Sequence, residues 1–356
     1  MIFLQAVTST TLADAVHGLP IEEARRIVGA VHRHDCLPQA VRNVRRASVE
    51  AVRAAATIPE LNIRGTHRSR IDPFIKFALE TADGRVIETV RIPLERTGRF
   101  SVCVSSQAGC GLGCSFCATG RMGLERNLET WEIIEQVRVV RRTLDRTRKE
   151  RVHGIVFQGM GEPLANLDNV IEAIRVACEP SGLAVDGRAI TVCTAGIPGG
   201  IRRLAREAPK VRLGISITSA RPAVRGRLMP IDRAHPLEEV LEAAAEHARL
   251  TRIAPMWAVT PMDNVNDTDE DARALARLAR EFADKTGVRP RISIVPYNAI
   301  GSGDGPSFTR SGPGRESAFR KTLSDAGVPS HKRYSGGSDV SAACGQLAGY
   351  REGIPD

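Results

Sequence analysis

Phe100–Leu128 reads FSVCVSSQAGCGLGCSFCATGRMGLERNL, and the rest of the chain is organised around it. Cys110, Cys114 and Cys117 are spaced C-x3-C-x2-C in a glycine-bearing loop, with Phe116 just before the last. Three thiols so close in sequence can converge on one metal centre, and soft thiolates select zinc, copper(I) or iron–sulfur clusters. Closed structural zinc sites use four ligands. Three leave one corner of a cubane open, so the loop is read as the seat of a [4Fe–4S] cluster with one iron free to bind a small molecule. A zinc site completed by Cys103 or a histidine is the competing reading. Cys103 itself lies seven residues upstream of Cys110, at the end of an apolar run.

That run, Ser101–Ser105, reads as a strand, and beyond it strands and helices alternate. Further strands are expected at His153–Gln158, Ile190–Thr194, Val211–Ile217, Ile253–Val259 and Ile292–Pro296. Helices are expected at Thr130–Leu144, Asn169–Cys178, Gly200–Glu207, Leu237–Leu250, Glu270–Lys285 and Gly314–Ala326; in the first, Ile133, Ile134, Val137 and Val140 form one apolar face. Six βα units imply a parallel sheet, doubly wound or a barrel. A partial barrel of the (β/α)8 kind is preferred, which puts the chemistry at the C-terminal ends of the strands. The stretch Gly301–Gly314 reads as a mobile loop.

Upstream, residues 73–92 alternate apolar and polar around Asp83-Gly84, a strong hairpin signal. Residues 1–70 read as helical, with Leu12, Val16, Leu19 and then Ala24, Ile27, Val28, Val31 at helical spacing. The resulting division is a helical accessory domain over 1–70, a hairpin extension over 71–98 and a barrel over 99–356.

Hydrophobic content of 42% suits a large core. No apolar run reaches the roughly 18 residues of a membrane span, and the N-terminus lacks the basic region and cleavage site of a signal peptide, so a cytoplasmic protein is expected. The net charge is +9, and only six of the 50 basic residues are lysines. Arginine grips phosphate bidentately, which favours nucleic acid modestly; a GC-rich genome explains the bias equally well. Between Arg42 and Arg70 seven arginines face only Glu50 and Glu60, either a solvated face or a surface for RNA phosphates. Four of the eight cysteines fall within 15 residues, which favours metal or catalytic use over disulfides.

Gly159-Met160-Gly161-Glu162-Pro163 ends the second barrel strand, where glycine lets backbone approach a ligand and Glu162 suits an ammonium group. Together with the cysteine loop, this segment resembles the radical S-adenosylmethionine (SAM) enzymes. Closer still is the RlmN/Cfr family of RNA adenine methyltransferases. The likeness runs from Ile87 onward through IETVRIP, CVSSQAGC, CSFCATG, RNLE, GMGEPLANLDNV, VPYN and DVSAACGQL. It implies a partial (β/α)6 radical SAM barrel with a small N-terminal helical domain and a β-hairpin extension.

The resemblance also implies roles. Cys110, Cys114 and Cys117 would hold the cluster. Gly161, Glu162, Cys193, Ser216, Ile217, Thr218 and Asn298 would contact SAM, two molecules of which are used per turnover. Cys344 would accept a methyl group and carry it to the adenine ring as a radical, Glu88 would take the proton from the adduct, and Cys103 would release the product, leaving a Cys103–Cys344 disulfide. Two thiols outside the cluster set are what covalent delivery and thiol–disulfide resolution require. Glu88 taken alone reads as an exposed hairpin carboxylate. The implied substrate is large-subunit ribosomal RNA, with transfer RNA as a second, and the site is carbon 2 of adenine or else carbon 8. The implied partner is an electron donor such as flavodoxin or ferredoxin, and a monomer is the default. The chain departs from the family in having Cys193 for serine, Thr218 for histidine and Asp72-Pro73-Phe74 for Asp-Gly-Thr. A same-mechanism enzyme with another substrate and a zinc-containing RNA-binding protein without catalysis are the rival readings.

Overall fold

The computed structural model describes residues 1–145, 147–300 and 306–348; residues 301–305 of the expected mobile loop lie outside them. The chain begins with β1 (Ile2–Phe3), α1 (Ser9–Ala15), α2 (Ile21–His34), α3 (Arg46–Ala55) and β2 (Ala56–Thr57). Leu4, Leu12, Ile27, Val28, Val31 and Val52 form a small core of their own here, with β1 and β2 paired in parallel. This helical part is fastened to the rest by Ser9 Oγ, which donates to Glu179 at 3.1 Å, and by Asp35, which accepts from Arg141 at 2.7 Å.

Next come β3 (Asn62–Arg68), β4 (Ile75–Glu80), β5 (Val86–Pro93) and β6 (Arg99–Val104), antiparallel neighbours in sequence. The helical expectation for residues 1–70 is therefore corrected over Asn62–Arg68. That polar strand lies at the edge of the sheet, where side chains meet water on both sides and periodicity is weak. The hairpin around Gly84 forms as expected, but it continues the barrel sheet through β5–β6 pairing.

A short hairpin follows, β7 (Gln107–Cys110) and β8 (Gly123–Asn127), with α4 (Ala118–Met122) between. Then α5 (Thr130–Arg142), β9 (Arg151–Phe157), α6 (Leu167–Cys178), β10 (Ile190–Thr194), α7 (Pro198–Glu207), β11 (Arg212–Ser216), α8 (Pro222–Leu228), α9 (Leu237–Thr251), β12 (Met256–Val259), α10 (Asp269–Thr286), β13 (Arg291–Ile294), α11 (Pro313–Asp325) and β14 (Ser330–Lys332) complete the chain. All six expected strand–helix units are present, and β14 adds a seventh parallel strand. The sheet runs β14-β13-β12-β11-β10-β9-β6-β5-β4-β3, parallel from β14 to β6 and antiparallel thereafter. Its parallel strands β6 and β9–β13 are largely buried apolar runs, as expected when both faces are covered, and α5, α6, α7, α9 and α10 bury their apolar faces in the same core. A capping box at Thr268 and Asp271 starts α10, and Gly287 in the left-handed region ends it.

Candidate active site

Antiparallel pairing of β7 with β8 sets Cys110 opposite Gly123, so the cysteine loop leaves and rejoins the structure at one place. Within it the Cys117 amide donates to Cys114 O at 3.1 Å, and Arg121 clasps Ser115 O through Nη2 at 2.8 Å. Burial pushes all three thiols up, Cys110 to about 11, and the neighbouring thiols reinforce the shift. Thiols so placed stay protonated unless a metal takes them as thiolates. Among the described residues no three His, Cys, Asp or Glu side chains close on a single ion. All three cysteines line one cavity, and a donor set of three thiols suits a [4Fe–4S] cluster with one open iron better than a closed four-ligand zinc site.

The loop forms one wall of a cavity at the C-terminal ends of β9–β13. Gly161 and Glu162 after β9, Cys193 on β10, Ser216 and Thr218 at the end of β11, Asn298 after β13 and Cys344 line the same space. Gly161 has φ +99°, and a Cβ there would lie 2.6 Å from the Gln107 side chain, so only glycine fits. The Glu162 carboxylate is buried and bridges two loops, accepting from Leu164 N at 3.0 Å and Ala195 N at 2.8 Å. Its side chain is thus occupied in holding the cavity wall. Thr218 adopts φ +60°, uncommon for a β-branched residue and a local strain at the cavity. The Ile217 side chain packs in the core and does not line the cavity. Asn298 Nδ2 donates to Cys344 O at 3.1 Å and Ser335 Oγ at 2.9 Å, so it anchors the Cys344 segment.

Cys103 sits buried on β6, outside the cavity lining but close enough to Cys344 for a charge there to disfavour the Cys103 thiolate. Burial raises Cys103 far above the ordinary thiol range, and it raises Cys193 to about 12; the Arg333 guanidinium opposes both. Burial works against the Arg333 charge in turn, yet the facing thiols of Cys344, Cys193 and Cys103 hold its pKa above the usual value. Gln158 fixes Arg333 through a 2.9 Å hydrogen bond. Arg333 was not among the residues expected from sequence, because an arginine next to a polar three-residue strand carries no signal in so arginine-rich a chain.

Glu88 is not the exposed hairpin carboxylate that its sequence context suggests. It is 1% exposed, paired with the buried Lys76 at 2.8 Å, and its other oxygen accepts the Ala348 amide at 2.9 Å. Two further residues escaped sequence reading. Lys76 stands on the face of β4 that meets Glu88, and a lone lysine in an apolar strand is the cue that points to it. Arg225 is fully buried beneath the cavity and donates to the carbonyls of Ala195, Ser216 and Ile217 at 2.6–2.8 Å while pairing with Asp232.

Residues 104–279 match the model of the radical SAM superfamily. A probable RNA methyltransferase of Sorangium cellulosum is 58% identical, the match covering 93% of this chain and 88% of that one. A dual-specificity RNA methyltransferase RlmN of Syntrophobacter fumaroxidans is 41% identical over 76% of this chain and 75% of its own. Among solved structures, a radical SAM methyltransferase from Sphaerobacter thermophilus superposes with a TM-score of 0.86 at 33% identity, covering 98% of this chain and all of that one.

Proposed function

The chain belongs to the RlmN-like radical SAM methyltransferases, and from that premise we propose that it methylates an adenine ring carbon in RNA. Carbon 2 is the first candidate and carbon 8 the second, in large-subunit ribosomal RNA and also in transfer RNA. The observation that carries this reading is the meeting of two cysteine sets at one place. Cys344 shares a cavity with Cys110, Cys114 and Cys117, and Cys103 lies behind it.

In this reading Cys110, Cys114 and Cys117 hold a [4Fe–4S] cluster. When bound, the cluster and SAM supply the reducing electron, the radical chemistry and the methyl group, with two SAM molecules used per turnover. Gly161 and Glu162 offer backbone to SAM, and Cys193, Ser216, Thr218 and Asn298 shape its pocket; Ile217 contributes through its backbone. Cys344 Sγ carries the one-carbon unit and joins it to the ring. Glu88 accepts the ring proton, which requires its contacts with Lys76 and Ala348 to loosen when RNA binds. Cys103 Sγ, as thiolate, then attacks Cys344 Sγ; the carbon–sulfur bond breaks, the carbon keeps the electron pair and takes up a proton to become the methyl group, and the methylated RNA leaves a disulfide for later reduction. The Arg333 guanidinium opposes the burial penalty on the Cys103 thiolate. A flavodoxin- or ferredoxin-type protein supplies electrons to a cytoplasmic monomer.

The helical residues that precede β3 are assigned to RNA binding. Arg25, Arg26, Arg33 and Arg42 line an open hollow there with Glu22 as the acidic member. Several of the arginines noted in sequence are otherwise engaged: Arg45 with Glu23, Arg46 with Glu50 and Arg64 with Glu80. No helix of the described residues is long and apolar enough to cross a membrane.

The test compares adenine methylation by mass spectrometry in ribosomal and transfer RNA from wild-type and deletion strains. Loss of one methyladenine is expected in the deletion strain, with return on complementation but not by Cys344→Ala. RNA that is unchanged would overturn the substrate assignment.

A further inference from the structure

Tyr334 is the one aromatic among the large apolar side chains left exposed in the described residues, with 68% of its surface accessible. It is the second residue after β14, between two residues that serve the catalytic thiol. Arg333 before it faces Cys344, and Ser335 after it accepts the Cys344 amide at 3.3 Å. Its backbone therefore runs beside the Cys344 segment, while its ring stands outside the residues that line the cavity.

The ring is exposed but fixed. Its hydroxyl donates to Asp72 Oδ2 at 2.8 Å, and its edge meets Phe74 with centroids 5.9 Å apart and planes 59° apart. Asp72 is itself held by the amides of Gly337 at 2.8 Å and Phe74 at 3.1 Å. A Cβ on Gly336 would lie 2.4 Å from the Phe74 ring, so glycine lets the Cys344 segment close over that ring. These contacts come from Asp72-Pro73-Phe74, where the sequence departs from the family pattern. An aromatic tied at its hydroxyl and backed by a second ring presents a face whose orientation costs little to hold on binding.

We infer that Tyr334 is a stacking platform for the nucleobase next to the reacting adenine. The inference rests on the reading that the substrate is RNA. A base worked on inside a cavity must leave its stack, and its neighbour then loses a stacking partner. Aromatic side chains replace that partner in single-stranded RNA recognition, with little regard for base identity. Ile71, 66% exposed, widens the apolar surface on the same loop as Asp72.

The experiment uses the full chain and a fluorescein-labelled RNA hairpin with an adenine-containing seven-nucleotide loop, followed by anisotropy. Y334A is expected to weaken binding roughly 5- to 150-fold. Y334W should restore it, and Y334F should stay within about threefold of wild type, since the ring and its Phe74 backing remain. A second hairpin, abasic beside the loop adenine, should bind wild type more weakly and remove most of the difference between wild type and Y334A. Equal binding of the intact hairpin by wild type and Y334A would overturn the platform and leave the substrate reading intact. Should Y334A unfold at lower temperature than wild type, the abasic comparison on wild type decides, and no loss there overturns the platform. A wild-type protein that binds no RNA overturns the substrate reading, and the platform with it.

Discussion

On β5, Glu88 lies two positions off the cross-strand partner of Lys76, so their side chains meet diagonally on one face of the hairpin. Both groups are buried, and each neutralises a charge that would otherwise stand alone in an apolar surround. Removing one partner of a buried pair typically costs about 3–5 kcal/mol, because the other charge is left without compensation. Lys76→Met should therefore lower unfolding free energy by about 3 kcal/mol in urea titrations, and Lys76→Met with Glu88→Leu should recover much of that loss. A variant pair whose effects simply add would show that the two side chains do not depend on each other. Residue identity alone was informative for the cysteines, whose spacing is itself the chemical signal. It was silent for Glu88, whose burial depends on Ala348 arriving from 260 residues away.

Elements repeat this contrast. The six βα units were legible because each parallel strand is a continuous apolar run and each helix keeps one apolar face; Ile190–Thr194 matches to the residue. Several elements had no such pattern, three of them strands of the site and its flank. The β7 strand is only Gln107–Cys110, β14 is Ser-His-Lys, and β3 is a polar edge, so hydrogen bonding to neighbours alone defines them. The loop after β9 carries the element-scale prediction. Gly161→Ala places a Cβ against Gln107 and a side chain at positive φ, a strain of order 1–3 kcal/mol. Because Glu162 bridges this loop to Ala195 after β10, the displacement should reach the cavity proposed to hold SAM. Reconstituted protein should bind SAM on the order of tenfold more weakly in equilibrium dialysis, with its thermal unfolding shifted by only a few degrees.

Across the whole molecule, two buried histidines couple stability to pH. His32 packs α2 against the arginines of α5, and burial with the nearby Arg141 and Arg138 charges lowers its pKa to about 3. Burial alone lowers His247 on α9 to about 4. Both stay neutral in the folded chain while the unfolded chain takes up protons near pH 6.5, so stability falls as pH drops from about 6.5 toward 4. Each histidine should cost about 2 kcal/mol at pH 5 relative to pH 7.5. Burial raises the Glu135 and Glu162 carboxyls, which push the opposite way. The histidine contribution is thus the difference in slope between wild type and His32→Leu or His247→Leu in thermal melts from pH 7.5 to 5.0. Identical slopes would exclude it.

The stitching of the Cys344 segment has a consequence in time. Tyr334 to Asp72, Asp339 to Ser69 and Ala348 to Glu88 join residues 262, 270 and 260 positions apart. Contacts of such long separation form late, and synthesis delivers the two ends at different moments. At 5–20 residues per second, roughly 10–50 s pass between the emergence of Cys103 and that of Cys344. During that interval a growing chain can complete its cysteine loop, yet it lacks Cys344, the thiol proposed to take up the carbon. On the role proposed for Cys344, the cavity is therefore completed from the far end of the chain last, and methyl loading waits for translation to pass residue 344.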